Sequence, residues 1–254
     1  MANSYSRTPS CCTGKLSSER NKPMTARHEY KIPCDTNQLS DIEVWVRLHP
    51  AHWRVSYLPR QINNVYFDSP DLADLNANLS GVGLRQKLRM RWYGPDKSCS
   101  TTAQLELKCK QGLAGWKETE PVTQSLELSH GTWPDLVNRL RDSVTERAQL
   151  WLAHHQVPVL INSYKRSYFE TPDGMIRLTI DTQLRAYDQR LSLAPNLDRE
   201  VLQPNSVIVE LKAPVDNKST HRLMRLLESG PARTDRFSKY LHGMLASTYS
   251  SQSG

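Results

Sequence analysis

The sequence predicts an α+β fold: an antiparallel β-barrel of about eight strands, with helices inserted between strands and two more at the C-terminal end. Several segments alternate charged and apolar residues at every second position, the period of an extended chain. Lys87, Arg89 and Arg91 alternate with Leu88, Met90 and Trp92, and Glu106, Lys108 and Lys110 with Leu105, Leu107 and Cys109. Arg177, Thr179 and Asp181 alternate with Ile176, Leu178 and Ile180, and Glu210 and Lys212 flank Leu211. Most connections between these segments are short, which favours antiparallel pairing. One charged strand face is ordinary solvent exposure. Four of them, mostly cationic and each backed by large apolar residues, predict a sheet closed around a charged lumen, and such a lumen suits a polyanion.

In chain order, Arg27–Ile32 alternates and opens the first strand. Leu39, Ile42, Val44, Trp45 and Leu48 recur at helical spacing and predict a helix over Gln38–Leu48. Gln61–Phe67 reads as a strand. Ser69-Pro70 supplies an N-cap and a first helical position, and Leu72, Leu75 and Leu79 continue that short helix. Leu84–Tyr93 is a long strand stopped by Gly94-Pro95. Ala103–Lys110 follows, and Gly112–Gly115 turns the chain into Trp116-Lys117-Glu118. Trp133–Leu152 predicts a single helix with Pro134 near its start. Leu160–Glu170 and Met175–Leu184 form a hairpin around Pro172-Asp173-Gly174. Val207–Lys212 is a strand ended by Pro214, and Ser219–Leu227 and Asp235–Leu245 are closing helices separated by Gly230-Pro231.

Residues 1–24 are rich in Ser, Lys, Arg and Thr with little to bury, so they are expected to form a flexible arm. Residues 25–246 are expected to form one domain and 247–254 a flexible tail. At 254 residues and 38% hydrophobic the chain can bury one good core. Its formal charge of +7 favours an acidic partner. No apolar run approaches the roughly 18–20 residues of a membrane span, so any membrane step would fall to a partner protein. Five cysteines without metal-type spacing fit a reduced, cytoplasmic setting. Specific nucleic-acid binding is not expected, because the cations sit on strand faces and not on an exposed recognition helix.

Phosphate oxygens are best held by the planar fork of guanidinium and by lysine as a mobile point charge. Arg89, Arg91, Arg166 and Arg177, with Lys31, Lys87, Lys108 and Lys212, are the candidate lumen lining. Glu29, Glu106, Asp181 and Glu210 share those faces. They either moderate repulsion between the cations or hold a hard divalent ion. Tyr66, Phe67, Trp92 and Tyr93 read as packing residues, and His154-His155 as surface.

These segments form an ordered set: Arg27-His28-Glu29-Tyr30-Lys31, Asn64-Val65-Tyr66-Phe67-Asp68-Ser69, and Lys87-Leu88-Arg89-Met90-Arg91-Trp92-Tyr93-Gly94. Leu105-Glu106-Leu107-Lys108, Tyr164-Lys165-Arg166-Ser167-Tyr168-Phe169 and Arg177-Leu178-Thr179-Ile180-Asp181 follow. Val209-Glu210-Leu211-Lys212 and Phe237-Ser238-Lys239-Tyr240 complete it. The set resembles the VTC domain, the polyphosphate polymerase branch of the CYTH-like triphosphate tunnel metalloenzymes. The resemblance runs from about Arg27 to Gly243. It implies a barrel enclosing a tunnel in which the γ-phosphoryl group of ATP passes to a growing inorganic polyphosphate chain, aided by Mn²⁺ or Mg²⁺. By motif position, Lys31, Arg89, Arg91, Lys108, Arg166 and Arg177 would contact phosphates, joined by Lys87 and Lys212. Tyr164, Arg236, Ser238 and Lys239 would reach phosphate from the rim and the closing helix. Glu210, with Glu29, would hold the metal. Hydrolytic relatives open with Glu-x-Glu-x-Lys, whereas Arg27 stands at the first of those positions here.

Chemistry points the same way. A terminal phosphate oxygen is already ionised at neutral pH, so chain extension needs no general base, whereas hydrolysis needs a group to orient water. The two alternatives are an inorganic triphosphatase of the same fold and a non-catalytic polyphosphate-binding sensor.

Overall fold

The computed structural model describes residues 27–111 and 114–250. The arm expected over 1–24 and part of the turn expected over Gly112–Gly115 lie outside the described residues. Eight strands form one sheet in the order β1-β10-β9-β8-β2-β3-β5-β6, with every neighbouring pair antiparallel. They are β1 (Arg27–Asp35), β2 (Arg54–Asp68), β3 (Leu84–Tyr93), β5 (Gln104–Gln111), β6 (Ala114–Pro121), β8 (Val157–Glu170), β9 (Arg177–Asp188) and β10 (Ser206–Pro214). A two-stranded ribbon, β4 (Cys99–Ser100) with β7 (Leu126–Glu127), lies beside it. Six helices complete the α+β fold: α1 (Leu39–Leu48), α2 (Ala73–Ser80), α3 (Trp133–Asp142), α4 (Glu146–His154), α5 (Asn217–Glu228) and α6 (Lys239–Ser250). The sheet is curled into a half-barrel. Among the described residues its edge strands β1 and β6 exchange no ladder bonds, and side chains span the gap instead, with Lys108 on β5 reaching Glu29 on β1 at 3.5 Å.

The alternation read from sequence separates the two faces of this sheet. Leu88, Met90, Trp92, Leu105, Leu107 and Cys109 point to the convex side, where they pack with Trp133, Leu136 and Leu140 of α3 and Ala148 and Leu152 of α4. Ile32, Cys34, Leu178, Ile180, Val209 and Leu211 do the same beneath Ile42 and Val46 of α1 and Leu223 and Leu226 of α5. Burying each such side chain is worth about 1.5–3 kcal/mol. These two clusters commit the charged residues of the same strands to the concave side.

Several expected boundaries move for local reasons. The single helix expected over Trp133–Leu152 is two, because the Ser143 hydroxyl turns back onto the Leu140 carbonyl and Thr145 caps a new helix at Ala148. The short helix expected to start after Ser69 starts at Ala73. Buried Asp68 organises that turn, accepting from the backbone N–H groups of Ser69, Asp74 and Leu75. Residues 235–238, expected to open the last helix, are irregular, and α6 continues to Ser250, past the expected end of the domain at 246. His155 is buried rather than on the surface, with Nε2 2.9 Å from Asp74 and Nδ1 2.7 Å from the Trp151 carbonyl. Burial would lower the pKa of this imidazole, but the bonds to Asp74 and Trp151 outweigh it and leave it raised.

Helix α6 plugs one end of the curl. Tyr240 stacks on Tyr66 with ring centroids 5.1 Å apart and donates its hydroxyl to Asp68 at 2.6 Å, while Met244 packs with Leu160 and Ala186. Gly243 permits the approach, since a Cβ there would lie 2.7 Å from the Leu160 side chain. Leu160 is fully buried and cannot retreat. Gly243→Val is therefore expected to lower stability by about 1–3 kcal/mol, read from urea unfolding. An unchanged midpoint would show that α6 is not held this closely.

Candidate active site

Because side chains two apart on a strand share a face, the concave surface collects the polar half of every alternating segment. The register sets the rows: Glu106 beside Arg89, Arg89 beside Tyr66, Arg166 beside Asp181, and Tyr168 beside Thr179, then Glu210, then Lys31. Charge is distributed there through three carboxylate centres.

Glu106 is the first, with a side chain only 3% exposed. Arg89 places Nε and Nη2 on one of its oxygens at 2.8 and 2.6 Å, Lys117 holds the other at 2.8 Å, and Arg91 lies 3.9 Å away. Burial alone would raise the Glu106 carboxyl, but Arg89, Arg91 and Lys117 hold it well below the usual carboxylate range. The remaining guanidinium nitrogens are aimed by neutral partners. Arg89 donates to the Tyr66 hydroxyl at 3.2 Å, and Arg91 to Asn64 at 2.9 Å and to the Tyr164 hydroxyl at 3.2 Å.

Asp181 and Glu210 form the second centre. Arg166 grips Asp181 with two bonds of 2.5 and 2.7 Å and reaches Glu210 at 3.4 Å, while Lys239 at the start of α6 donates to Asp181 at 2.6 Å. Lys212 sits 3.1 Å from Glu210. Burial opposes ionisation of both acids. The cations overcome it, foremost Lys239 and Arg166 for Asp181 and Lys212 and Arg166 for Glu210, so both stay charged. Glu29 is the third centre, bridging Lys31 at 2.9 Å, Lys108 at 3.5 Å and Lys212 at 3.9 Å.

Lys87 differs from all of these. It makes no ion pair among the described residues and donates to the Ser238 hydroxyl at 2.9 Å, beneath the Tyr240 ring. Burial, with Lys108, Lys31, Arg85 and Arg89 nearby, lowers its pKa to about 7. Lys31 also donates to the Phe237 carbonyl at 3.1 Å, so the segment before α6 is tied to the cationic face at two points.

Of the residues expected from sequence, Glu29, Lys31, Lys87, Arg89, Arg91, Lys108, Tyr164, Arg166, Glu210, Lys212, Ser238 and Lys239 come together on this surface. Arg177 and Arg236 are exposed and outside the ion-pair network; Arg177 lies opposite Lys212 in the ladder, and Arg236 on the segment before α6. Sequence reading missed Lys117, Tyr66 and Asn64. Lys117 was legible in principle, because Trp116 packs on the convex core and so puts its neighbour on the concave side.

Glu29 and Glu210 suit a hard divalent ion. They are diagonal neighbours across the β1–β10 ladder. The hydroxyl of Thr179, directly opposite Glu210, is buried and makes no hydrogen bond. Mg²⁺ or Mn²⁺ takes one or two carboxylates and completes its shell with water and phosphate oxygens. The described residues hold no group of three His, Cys, Asp or Glu side chains that could coordinate a metal, so such an ion would have to complete its shell with oxygens from outside the protein.

A curled antiparallel sheet whose concave face gathers cations around a few carboxylates defines the triphosphate-tunnel class of proteins. Within that class, the VTC domain model matches residues 26–248, and the chain belongs to this family. None of the curated proteins matches the sequence. Among solved structures, a Vibrio parahaemolyticus protein described as a candidate adenylate cyclase is similar at 12% identity, with a TM-score of 0.47 over 85% of this chain and 95% of that one. A chain of the Schizosaccharomyces pombe Mediator head module is similar at 8% identity, with a TM-score of 0.41 over 79% and 88%. No helix among the described residues is long and apolar enough to cross a membrane.

Replacing Asp181 with Asn would leave Lys239 without its counter-charge and Arg166 with only its longer contact to Glu210, beside a fully buried side chain. The expected loss is about 3–5 kcal/mol in urea unfolding at low salt. A loss below 1 kcal/mol would mean the pair is not buried as described.

Proposed function

We propose that this protein is a polyphosphate polymerase that transfers the γ-phosphoryl group of ATP to the end of an inorganic polyphosphate chain lying on the concave face. The observation that carries this reading is the charge inventory. Nine cations (Lys31, Lys87, Arg89, Arg91, Lys108, Lys117, Arg166, Lys212 and Lys239) face four carboxylates, each already engaged by two or more of them. Such a surface neutralises a chain of phosphates, and none of these four carboxylates stands apart from a cation to activate water.

In the reaction, a terminal phosphate oxygen of the chain forms a bond to the γ-phosphorus. The bond from that phosphorus to the β–γ bridging oxygen breaks, and ADP leaves. No proton has to be removed from the nucleophile, so the protein's task is positioning and charge neutralisation. Arg89 and Arg166, each fixed by a carboxylate, present the remaining guanidinium donors in set directions. Arg91 and Tyr164 aim donors at the same region, and Lys239 and Ser238 approach from the α6 side. Lys31, Lys108 and Lys212 contribute mobile charge along the chain, with Arg177 and Arg236 at the rim. Glu210 and Glu29 would hold Mn²⁺ or Mg²⁺, which when bound neutralises charge on phosphate oxygens.

The direct test is incubation with ATP and Mn²⁺, with products resolved on a gel stained for polyphosphate. A ladder that lengthens with time and vanishes with EDTA is expected. Arg89→Ala and Glu210→Gln should each lower synthesis by at least about 100-fold. Orthophosphate without a ladder would select the triphosphatase, and tight polyphosphate binding without either product would select the sensor.

Lys87 adds a pH signature. Phosphate beside it favours the charged amine, so its pKa rises from about 7 on binding. Binding then takes up a proton above that pH, and polyphosphate affinity should fall as pH rises from 7 to 9. Calorimetric titrations in buffers of different ionisation enthalpy would measure the uptake. A Lys87→Met variant that retained the full pH slope would assign it to another group.

A further inference from the structure

A second cluster continues the concave face beyond Arg91 and Arg166. Arg60 lies opposite Arg166 in the β2–β8 ladder, and its guanidinium carbon sits 4.9 Å from the ring centre of Tyr57, 5.8 Å from Tyr93 and 5.9 Å from Tyr168. Tyr57 and Tyr168 are ladder partners and meet edge to face, with centroids 5.7 Å apart. Tyr93 is two residues beyond Arg91 and Tyr168 two beyond Arg166, so each shares the face of its cation about 6.6 Å further along the strand.

Three features mark this cluster as a site and not as packing. Arg60 makes no ion pair with a carboxylate among the described residues, unlike Arg89 and Arg166. Tyr57 is 56% exposed and Tyr93 38%, so the rings keep open faces instead of filling a core. The buried Thr179 hydroxyl, which makes no hydrogen bond, lies directly between Tyr168 and Glu210 in the ladder, on the path from this cluster to the carboxylate pair. A flat cation among exposed rings takes a planar aromatic ligand by stacking, and it does so with little preference among nucleobases.

We propose that Arg60, Tyr57, Tyr93 and Tyr168 form the subsite that receives the nucleobase of the nucleoside triphosphate whose phosphates lie on the adjoining cationic face. This rests on the nucleotide-dependent transfer described above and adds what that reading lacks, a device that tells a nucleotide from an inorganic chain of the same length. Without it, a surface that binds phosphates alone would hold donor and product equally. With it, the nucleotide is anchored by its base at the rim while its triphosphate reaches inward.

The test is calorimetric binding of β,γ-imido-ATP and of inorganic tripolyphosphate, each with Mn²⁺, to the wild-type protein and to Tyr57→Leu/Tyr93→Leu, which alters no charge and only exposed side chains. The variant is expected to bind the nucleotide about 5- to 100-fold more weakly and tripolyphosphate as tightly as the wild type. Unchanged nucleotide affinity would overturn the inference, and so would an equal loss for both ligands. Wild-type protein that bound tripolyphosphate but not the nucleotide would instead remove the nucleotide as donor, and the subsite with it.

Discussion

A concave face carrying nine cations and four carboxylates is under electrostatic stress, and the rest of the molecule is arranged so that it can exist. Two unit charges 4 Å apart interact by about 4 kcal/mol at an effective dielectric of 20, so unshielded neighbours of like sign would open the sheet. Glu106, Asp181, Glu210 and Glu29 prevent this by each serving several cations. Such buried clusters add little net stability, because desolvation offsets most of their attraction. Stability has to come from elsewhere, and it comes from the apolar half of the same strands under α1, α3, α4 and α5. The alternation that creates the charged face therefore also provides the core that supports it.

The plug at one end follows the same logic. Asp68 is fully buried, yet it is paired with backbone amides and with the Tyr240 hydroxyl and not with a cation, so it fixes α2 and α6 together without drawing charge out of the lumen. With α6 fixed, Lys239 arrives at Asp181 and Ser238 at Lys87 from outside the sheet. A helix with Gly243 at its contact can lie close enough for these short connections. A bulkier residue there would displace Ser238 and Lys239 together.

The sheet was legible because several of its segments, β3, β5, β9 and β10 above all, carry the period-two pattern with one apolar face. Legibility fell where that pattern lapses. Residues 54–60 of β2 are mostly exposed on both faces, so only the buried half of the strand from Gln61 was visible in sequence. The break between α3 and α4 depends on two hydroxyls turning back onto the backbone, which helical periodicity does not register. In the site, cations two apart on one strand were readable, but which carboxylate serves which cation depends on ladder register. The Arg60 cluster joins β2, β3 and β8, strands far apart in sequence, and no local pattern announces it. His155 shows the same limit, since its partner Asp74 lies on a different helix.

The division of labour between arginine and lysine bears on how such a surface could extend a chain. Arg89 and Arg166 are each held by two bonds to a carboxylate, so their free donors point in fixed directions. Lys108 is half exposed and Lys212 a third exposed, each on a flexible stem with one or two looser contacts, and Lys87 has no counter-charge among the described residues. Under the proposed reaction the reacting phosphate needs fixed donors, because misplacement by an ångström costs rate steeply. The grown chain needs the opposite, contacts strong enough to retain it and loose enough to let it move on by one phosphate after each transfer. Guanidinium forks locked by carboxylates meet the first requirement and ammonium groups on mobile stems the second. Replacing every lumen lysine by arginine would preserve the charge and still impair elongation, because the product would be held as rigidly as the reacting group.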